Sequence, residues 1–315
     1  MAALVPVSVI VPTRNRTVMV ARFLESLYAQ TVWPSEMVFC DASDDDSTFA
    51  VVQSAERKWE GAAVSWRYEK ADRVGLAPQR NQAVASSSQP YVWFLDDDVL
   101  LEPRCLECMH AVVSADASIG GATATITNQG YQPPGRWATL LMRLFERGRV
   151  RETYAASCVG PCCTFMPDNS NNIPPVMAAE WLIGCCSLYR KSALPVPAVP
   201  DHFEGGGFGE DLAASLSVGR MHRLVHVRDA RCFHDSQGGE HKSSLRRTAE
   251  QGVRNRHYIM TRIMGKDSVR DHLDFALLHL FYVGALALKG TAPGRFLPVL
   301  TGYVQGFGKL LLRTL

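Results

Sequence analysis

Apolar residues follow two alternating rhythms over the first hundred positions. Val7–Val11 is a nearly unbroken β-branched run, as expected of a strand covered on both faces, and Thr17–Gln30 carries Val20, Phe23, Leu24, Leu27 and Tyr28 at helical intervals. The alternation then repeats. Met37–Cys40 reads as strand and Ser47–Trp59 as helix, Val64–Tyr68 as strand and Gly75–Ser86 as helix, and Tyr91–Leu95 as a fourth strand. This order predicts an α/β architecture with a mostly parallel central sheet flanked by helices, in which ligands collect outside the carboxyl ends of the strands. Polar clusters stand at those ends: Pro12-Thr13-Arg14-Asn15, Asp41-Ala42-Ser43-Asp44 and Asp96-Asp97-Asp98.

Beyond Asp98 the pattern loosens. Leu101–Ser114 reads as helix and Ala122–Thr127 as strand, and residues 128–178, rich in Pro, Gly and Asn, read as a long loop around one amphipathic helix, Trp137–Arg147. Trp181–Tyr189 is expected to be a strand. His202–Glu210 is a glycine-rich loop opening a helix at Asp211, and Arg223–Val227 is a last strand before Cys232-Phe233-His234-Asp235. Residues 236–315 read as helices, first basic and then apolar. Phe275–Leu288 and Phe296–Leu312 each fall short of the roughly 20 residues a spanning helix needs, so shallow insertion at a membrane surface, or packing on protein, is expected.

Composition sharpens this division. At 315 residues and 47% hydrophobic, the chain can bury a large core, which fits one large domain over 1–235 and a helical appendage over 236–315. The net charge of +2 hides an uneven distribution: residues 1–235 hold 21 Lys and Arg against 26 Asp and Glu, residues 236–315 hold 12 against 5. A basic, partly apolar tail points to an anionic partner, either a phospholipid headgroup layer or a phosphate-bearing substrate. No nucleic-acid partner is expected. The nine cysteines have no framework of spacings, which fits a reducing compartment; Cys105 and Cys108, a single C-x-x-C without a second pair, read as buried thiols. Met1–Arg16 lacks the charged and apolar regions of a signal peptide, so it reads as the first strand and the chain as cytoplasmic.

Three adjacent acids after Tyr91–Leu95 repel one another unless something positive lies between them. Carboxylates suit Mg²⁺ or Mn²⁺, and in an extended segment Asp96 and Asp98 share a side while Asp97 points away, so one ion can touch both. Two chemistries use such a site. The stretch Asp96–Leu100 fits the D-x-D-x-[TV]-[LV] pattern of haloacid-dehalogenase-like phosphatases, but those place it on the first strand, and here three β-α units precede it.

The ordered stretches VSVIVPTRNR, QTVWPSEMVFCDASDDDST, GLAPQRNQAVASSSQPYVWFLDDD and FGED resemble the inverting family 2 glycosyltransferases with the GT-A fold, over roughly residues 7–235. The resemblance implies a Rossmann-like catalytic domain over 1–235, with a nucleotide-sugar half at 1–98 and an acceptor half at 99–235. It implies that Pro12, Thr13, Arg14 and Asp41 hold the base and ribose of a UDP- or dTDP-sugar, that Arg80 contacts this donor, and that Asp97 reaches its ribose or sugar. Asp96, Asp98 and His234 match the metal ligands, Asp211 or Glu210 the catalytic base, and Trp181 the acceptor site. Cys40–Asp44 departs from the family's usual Asp-Asn or Asp-Asp, which bears on base specificity.

The segment Trp137–Arg151 sets Leu140, Leu141, Leu144 and Phe145 among Arg143, Arg147, Arg149 and Arg151, with Arg136 just before it, suited equally to a membrane surface and to covering a core. The implied activity is metal-dependent sugar transfer to a glycan acceptor, lipid-linked at the inner face of the cell membrane, in surface-polysaccharide synthesis. The C-terminal helices would bind membrane or form a homo-oligomer. A catalytically silent nucleotide-sugar-binding or scaffold protein is the alternative; the complete acid set, Asp96, Asp98, Glu210 and Asp211, argues against it.

Overall fold

A computed structural model of the chain describes residues 2–59, 61–236, 244–288 and 290–313. Residues 237–243 and Lys289 of the expected C-terminal helical region lie outside the described residues. The elements, in chain order, are β1 (Ala3–Thr13), α1 (Thr17–Tyr28), β2 (Val32–Asp41), α2 (Ser47–Lys58), β3 (Ser65–Lys70), α3 (Leu76–Ser86), β4 (Tyr91–Leu95), β5 (Val99–Leu101), α4 (Cys105–Ala115) and β6 (Ile119–Ile126). Then come α5 (Arg136–Phe145), the short strands β7 (Cys158–Val159) and β8 (Cys163–Thr164), β9 (Val176–Ala179), β10 (Cys186–Arg190), α6 (Glu210–Val218), β11 (Arg223–His234), α7 (Leu245–Tyr258), α8 (Val269–Leu288) and α9 (Pro293–Arg313).

Two compact units result. The first comprises Met1–Gln132, Ala155–Ser157 and Met166–Gln237; the second comprises Pro133–Tyr154, Cys158–Phe165 and Gly238–Leu315.

The first unit is built on a nine-stranded sheet of order β3-β2-β1-β4-β10-β6-β11-β5, with β9 pairing β11. β1, β2, β3 and β4 run parallel, β10 is reversed between β4 and β6, and β6 and β11 are parallel to each other. The side-chain period of two splits each central strand between two cores. Val7, Val9, Val11, Tyr91, Trp93 and Leu95 pack with α1, α2 and α4, whereas Ile10, Val38, Cys40, Val92 and Phe94 pack with Ala83 of α3 and Val218 of α6. That double coverage is why these strands are apolar at nearly every position.

Four expected boundaries are corrected. The helix expected from Leu101 starts at Cys105, because Val99–Leu101 pairs antiparallel with the end of β11. The strand expected over Trp181–Tyr189 begins only at Cys186. The strand expected to end at Val227 runs on to His234, continuing beside β6 past an irregularity between Val227 and Arg231. Residues 128–178 contain β7, β8 and β9 as well as the expected helix.

In the second unit α7 and α9 approach closely. A Cβ at Gly302 would come 2.2 Å from the Arg246 carbonyl, and one at Gly306 would come 2.7 Å from Val253 Cβ, so these glycines, four apart, permit the contact. Phe275 and His279 of α8 pack their rings against Phe307 of α9. The helix around Phe275–Leu288, expected to be too short to span a bilayer, begins at Val269; its 20 residues are long and apolar enough to cross one by length and composition alone.

Candidate active site

The polar clusters gather at one edge because β1, β2, β4 and β11 end there, while the reversed β10 begins there. Asp96, Asp98 and His234 each offer a ligand atom, all within 4.8 Å of one another; this is the only such group of His, Cys, Asp and Glu among the described residues. Cys105 and Cys108 join no such group, and none of the nine cysteines is in a disulfide. Oδ1 of Asp98 is buried, and Nε2 of His234 stands 3.2 Å from it. The separation suits a charge-assisted pair, and it is also close to the roughly 3 Å between two ligand atoms bound at right angles to one Mg²⁺- or Mn²⁺-sized ion. Burial opposes charge on Asp98, but His234 and Arg16 outweigh it and hold the carboxyl down to about 2.

The positive group between the acids is Arg16. Its Nη1 donates to Asp97 Oδ1 at 2.8 Å and its Nη2 to Asp98 Oδ2 at 2.7 Å, while Thr13 Oγ1 donates to Asp97 Oδ2 at 2.6 Å. Both Asp97 oxygens are therefore taken, and burial, only partly offset by Arg16 and Thr13, pushes this carboxyl up to about 7. Arg16 was missed from sequence, although it sits two residues past Arg14 in the same loop; Arg14 itself is exposed.

Arg80, expected to meet the donor, is buried and turned to protein partners. One guanidinium nitrogen donates to Asp96 Oδ1 and to the Gly184 carbonyl, each at 2.7 Å, the other pairs with Glu210, and the group lies 5.3 Å from the centre of the Phe94 ring. It thus ties the end of β4 to the start of α6. Burial pushes Glu210 up to about 8 against the pull of Arg80. Asp211, half-buried, accepts from the Gly184 N–H at 3.0 Å and the Leu212 N–H at 2.8 Å, and burial raises its pKa as well. A Cβ at Gly184 would come 2.9 Å from the Arg80 guanidinium and 3.0 Å from Asp211 Cβ, so this contact needs glycine. The indole of Trp181 lies near enough to Asp211 to favour its charged form.

Pro12 is buried within β1 beside Cys40. Asp41, fully buried, accepts from the Ser43 N–H at 2.8 Å, from Ser43 Oγ at 2.5 Å and from the Tyr68 hydroxyl. The loops after β1 and β2 are locked together: Asn15 donates to Asp44 Oδ2 at 2.7 Å, and the Asp44 N–H returns to Asn15 Oδ1 at 2.9 Å. Buried Gln79 donates to the carbonyls of both Thr13 and Cys40, pinning the two strand ends; nothing in its spacing announced that role.

The family described as glycosyl transferase family 2 matches residues 8–172, and the chain belongs to that family. It is 27% identical over 127 residues, 39% of this chain and 35% of the other, to the GalNAc(5)-diNAcBac-PP-undecaprenol beta-1,3-glucosyltransferase of Campylobacter jejuni. The matched stretches span only 27% to 42% of the lengths of the curated relatives. Among solved structures, S. aureus TarS 1-349 in complex with UDP-GlcNAc is similar with a TM-score of 0.59, 16% identity and coverage of 95% of this chain and 81% of that one. A mannosyltransferase from Pyrobaculum calidifontis in complex with GDP-Man and Mn2+ is similar at a TM-score of 0.57 and 15% identity, covering 96% and 87%. The fold is accordingly the GT-A fold, with C-terminal helices.

Proposed function

We propose that the chain transfers a sugar, with inversion, from a UDP- or dTDP-sugar to a hydroxyl of a glycan acceptor, with a divalent cation at Asp96, Asp98 and His234. The observation that carries this is the convergence of those three side chains at the same sheet edge as Asp211. A bound Mg²⁺ or Mn²⁺ would supply charge stabilisation to a leaving diphosphate. The protein's own part is to hold the ligands and the base in place. Arg80 fixes Asp96 and Glu210, and Arg16 takes one oxygen of Asp98 and leaves the other for the ion.

Asp211 is the base in this reading. Its two backbone hydrogen bonds orient the carboxylate and leave lone pairs to accept an acceptor hydroxyl proton, and its raised pKa moves it toward the operating pH, where a base works best. Glu210, committed to Arg80, is the positioning group. Thr13, Arg14 and Asp41 border the donor's base and ribose, and Trp181, beside Asp211, faces the acceptor. The Campylobacter relative's undecaprenol-linked substrate and the UDP-GlcNAc and GDP-Man of the structural neighbours support a nucleotide-sugar donor and a lipid-linked acceptor for this chain too.

The test is a thermal-shift panel of UDP-, dTDP- and GDP-sugars with and without Mn²⁺, on wild type and on Asp98→Asn. Stabilisation by one donor that requires Mn²⁺ and disappears in Asp98→Asn is expected. Equal stabilisation without metal, or in the variant, would remove the metal from the reading. The anomeric configuration of the product, read by NMR, decides inversion.

A further inference from the structure

We propose that the second unit docks on an anionic phospholipid bilayer through the outward faces of α5 and α8. The inference deepens the lipid-linked acceptor reading but stands on separate observations.

α5 buries Leu141, Met142 and Phe145 and turns Trp137, Leu140 and Leu144 outward, at intervals of three and four that place them on one stripe. Trp137 is 78% exposed. α8 repeats the arrangement: Phe275, Leu278 and His279 face inward, while Leu273, Leu277 and Leu280 face outward. Within the unit the two helices are linked through Gly160 and through charge. Phe145 packs against Gly160, Lys266 just before α8 donates to the Gly160 carbonyl at 2.7 Å, and Asp271 of α8, held down first by its Ser268 hydrogen bond, is drawn lower by Lys266 and Arg147.

The charge around these stripes selects the partner. The second unit holds 17 Lys and Arg against 7 Asp and Glu, and Arg136, Arg143, Arg147 and Arg149 on and after α5 are all exposed. Two such faces repel each other, which disfavours a second copy, and a soluble polyanion would leave the leucines and Trp137 in water. A bilayer with anionic headgroups satisfies both features: arginines pair with phosphates while the apolar stripe enters the acyl boundary, with the indole at headgroup level. α8 has the length to span, yet spanning would strip Phe275 and His279 from their ring contacts with Phe307 of α9 and take Asp274 into lipid. It therefore lies along the surface.

The experiment is vesicle flotation of the full chain, with phosphatidylglycerol-containing vesicles against pure phosphatidylcholine, for wild type, Trp137→Glu/Leu140→Glu/Leu144→Glu, and Arg136→Gln/Arg143→Gln/Arg149→Gln. Wild type should float with the anionic vesicles, be released by high salt and by washing at alkaline pH, and each triple variant should lose at least roughly tenfold in partitioning. These positions are exposed, so unchanged thermal melts and unchanged nucleotide-sugar binding verify that the variants are folded. Binding to neutral and anionic vesicles alike, or no loss in either variant, overturns the proposal. So does a concentration-dependent dimer in wild type that the glutamate variant abolishes, or retention on a soluble polyanion without any vesicle binding. Flotation needs no turnover, so its failure leaves the transfer reading standing, and a failed donor panel leaves this one standing.

Discussion

The first unit carries 24 acidic side chains against 16 basic ones, and the second carries 17 basic against 7 acidic, although the whole chain stands at +2. The units also differ in where charge is placed. In the first, Asp97, Asp98, Glu210 and Arg80 are buried and hydrogen-bonded to one another or to Arg16, so each charge depends on a particular partner. In the second, the arginines of α5 lie in water beside exposed apolar side chains. A cluster of the first kind is costly to disturb and suited to chemistry at fixed positions; a surface of the second kind tolerates substitution and is suited to a broad, fluid partner. Averaged composition conceals both.

The largest effect expected from that contrast belongs to the first unit. Asp211→Asn keeps the shape and the backbone hydrogen-bond acceptor but removes the base, so turnover should fall by about 10²- to 10⁴-fold while Mn²⁺ and nucleotide binding, measured by calorimetry, stay near wild type. Flotation by the second unit should not change at all. Sugar transfer that survives the substitution would cost Asp211 its role.

Next in size is the removal of a buried cation. Arg80→Met leaves Asp96 and Glu210 facing each other with no guanidinium between them, and breaking such a pair costs about 3–5 kcal/mol. Lys309→Met, which removes the half-exposed partner of Glu250 between α9 and α7 in the second unit, should cost under about 1 kcal/mol. Urea midpoints read separately for each unit, by pulsed hydrogen exchange and mass spectrometry, would test the contrast. Comparable losses at the two positions would erase it.

The same contrast explains what could be read in advance. The strands of the first unit were legible because both faces are buried, and a fully apolar run bounded by turn residues has few other interpretations; the acids were legible because charge directly after such a run is rare. Arg80 was visible as a residue but not as a partner, since its role depends on the Gly184 loop and α6, more than a hundred positions away. Arg16 and Gln79 were hidden for the same reason: their contacts bring Asp97, Asp98, Thr13 and Cys40 together across strands. β5 was not legible, because Val99–Leu101 is too short to show a period and its strand character comes only from pairing with β11; only Leu101 falls in the expected helix. In the second unit α5 was legible from its strong two-sided pattern, whereas the grouping of Pro133–Tyr154 with the C-terminal helices rests on long-range packing that spacing does not encode.

The smallest effect should appear in both units alike and so sharpens the comparison by its symmetry. Among the described residues each contains one deeply buried neutral histidine. His226 on β11 shares a hydrogen bond with Thr125 Oγ1 at 2.8 Å, and His279 on α8 has Nδ1 2.8 Å from the Phe275 carbonyl; burial lowers each pKa to about 4. The unfolded chain, with an ordinary histidine value near 6.5, binds more protons than the folded one between the two values. Stability contributed by each neutral ring is therefore whole above pH 6.5, begins to fall below it, and is lost by about pH 4, which amounts to about 2 kcal/mol per histidine at pH 5. His226→Gln should flatten that acid limb for peptides of the first unit only, and His279→Phe for peptides of the second only, when urea midpoints are followed from pH 7.5 to pH 4.5 by pulse labelling at one fixed pH. A variant that flattened the limb in both units at once would mean that they unfold as a single cooperative body, and the division drawn from charge and packing would then describe surfaces rather than independent folding units.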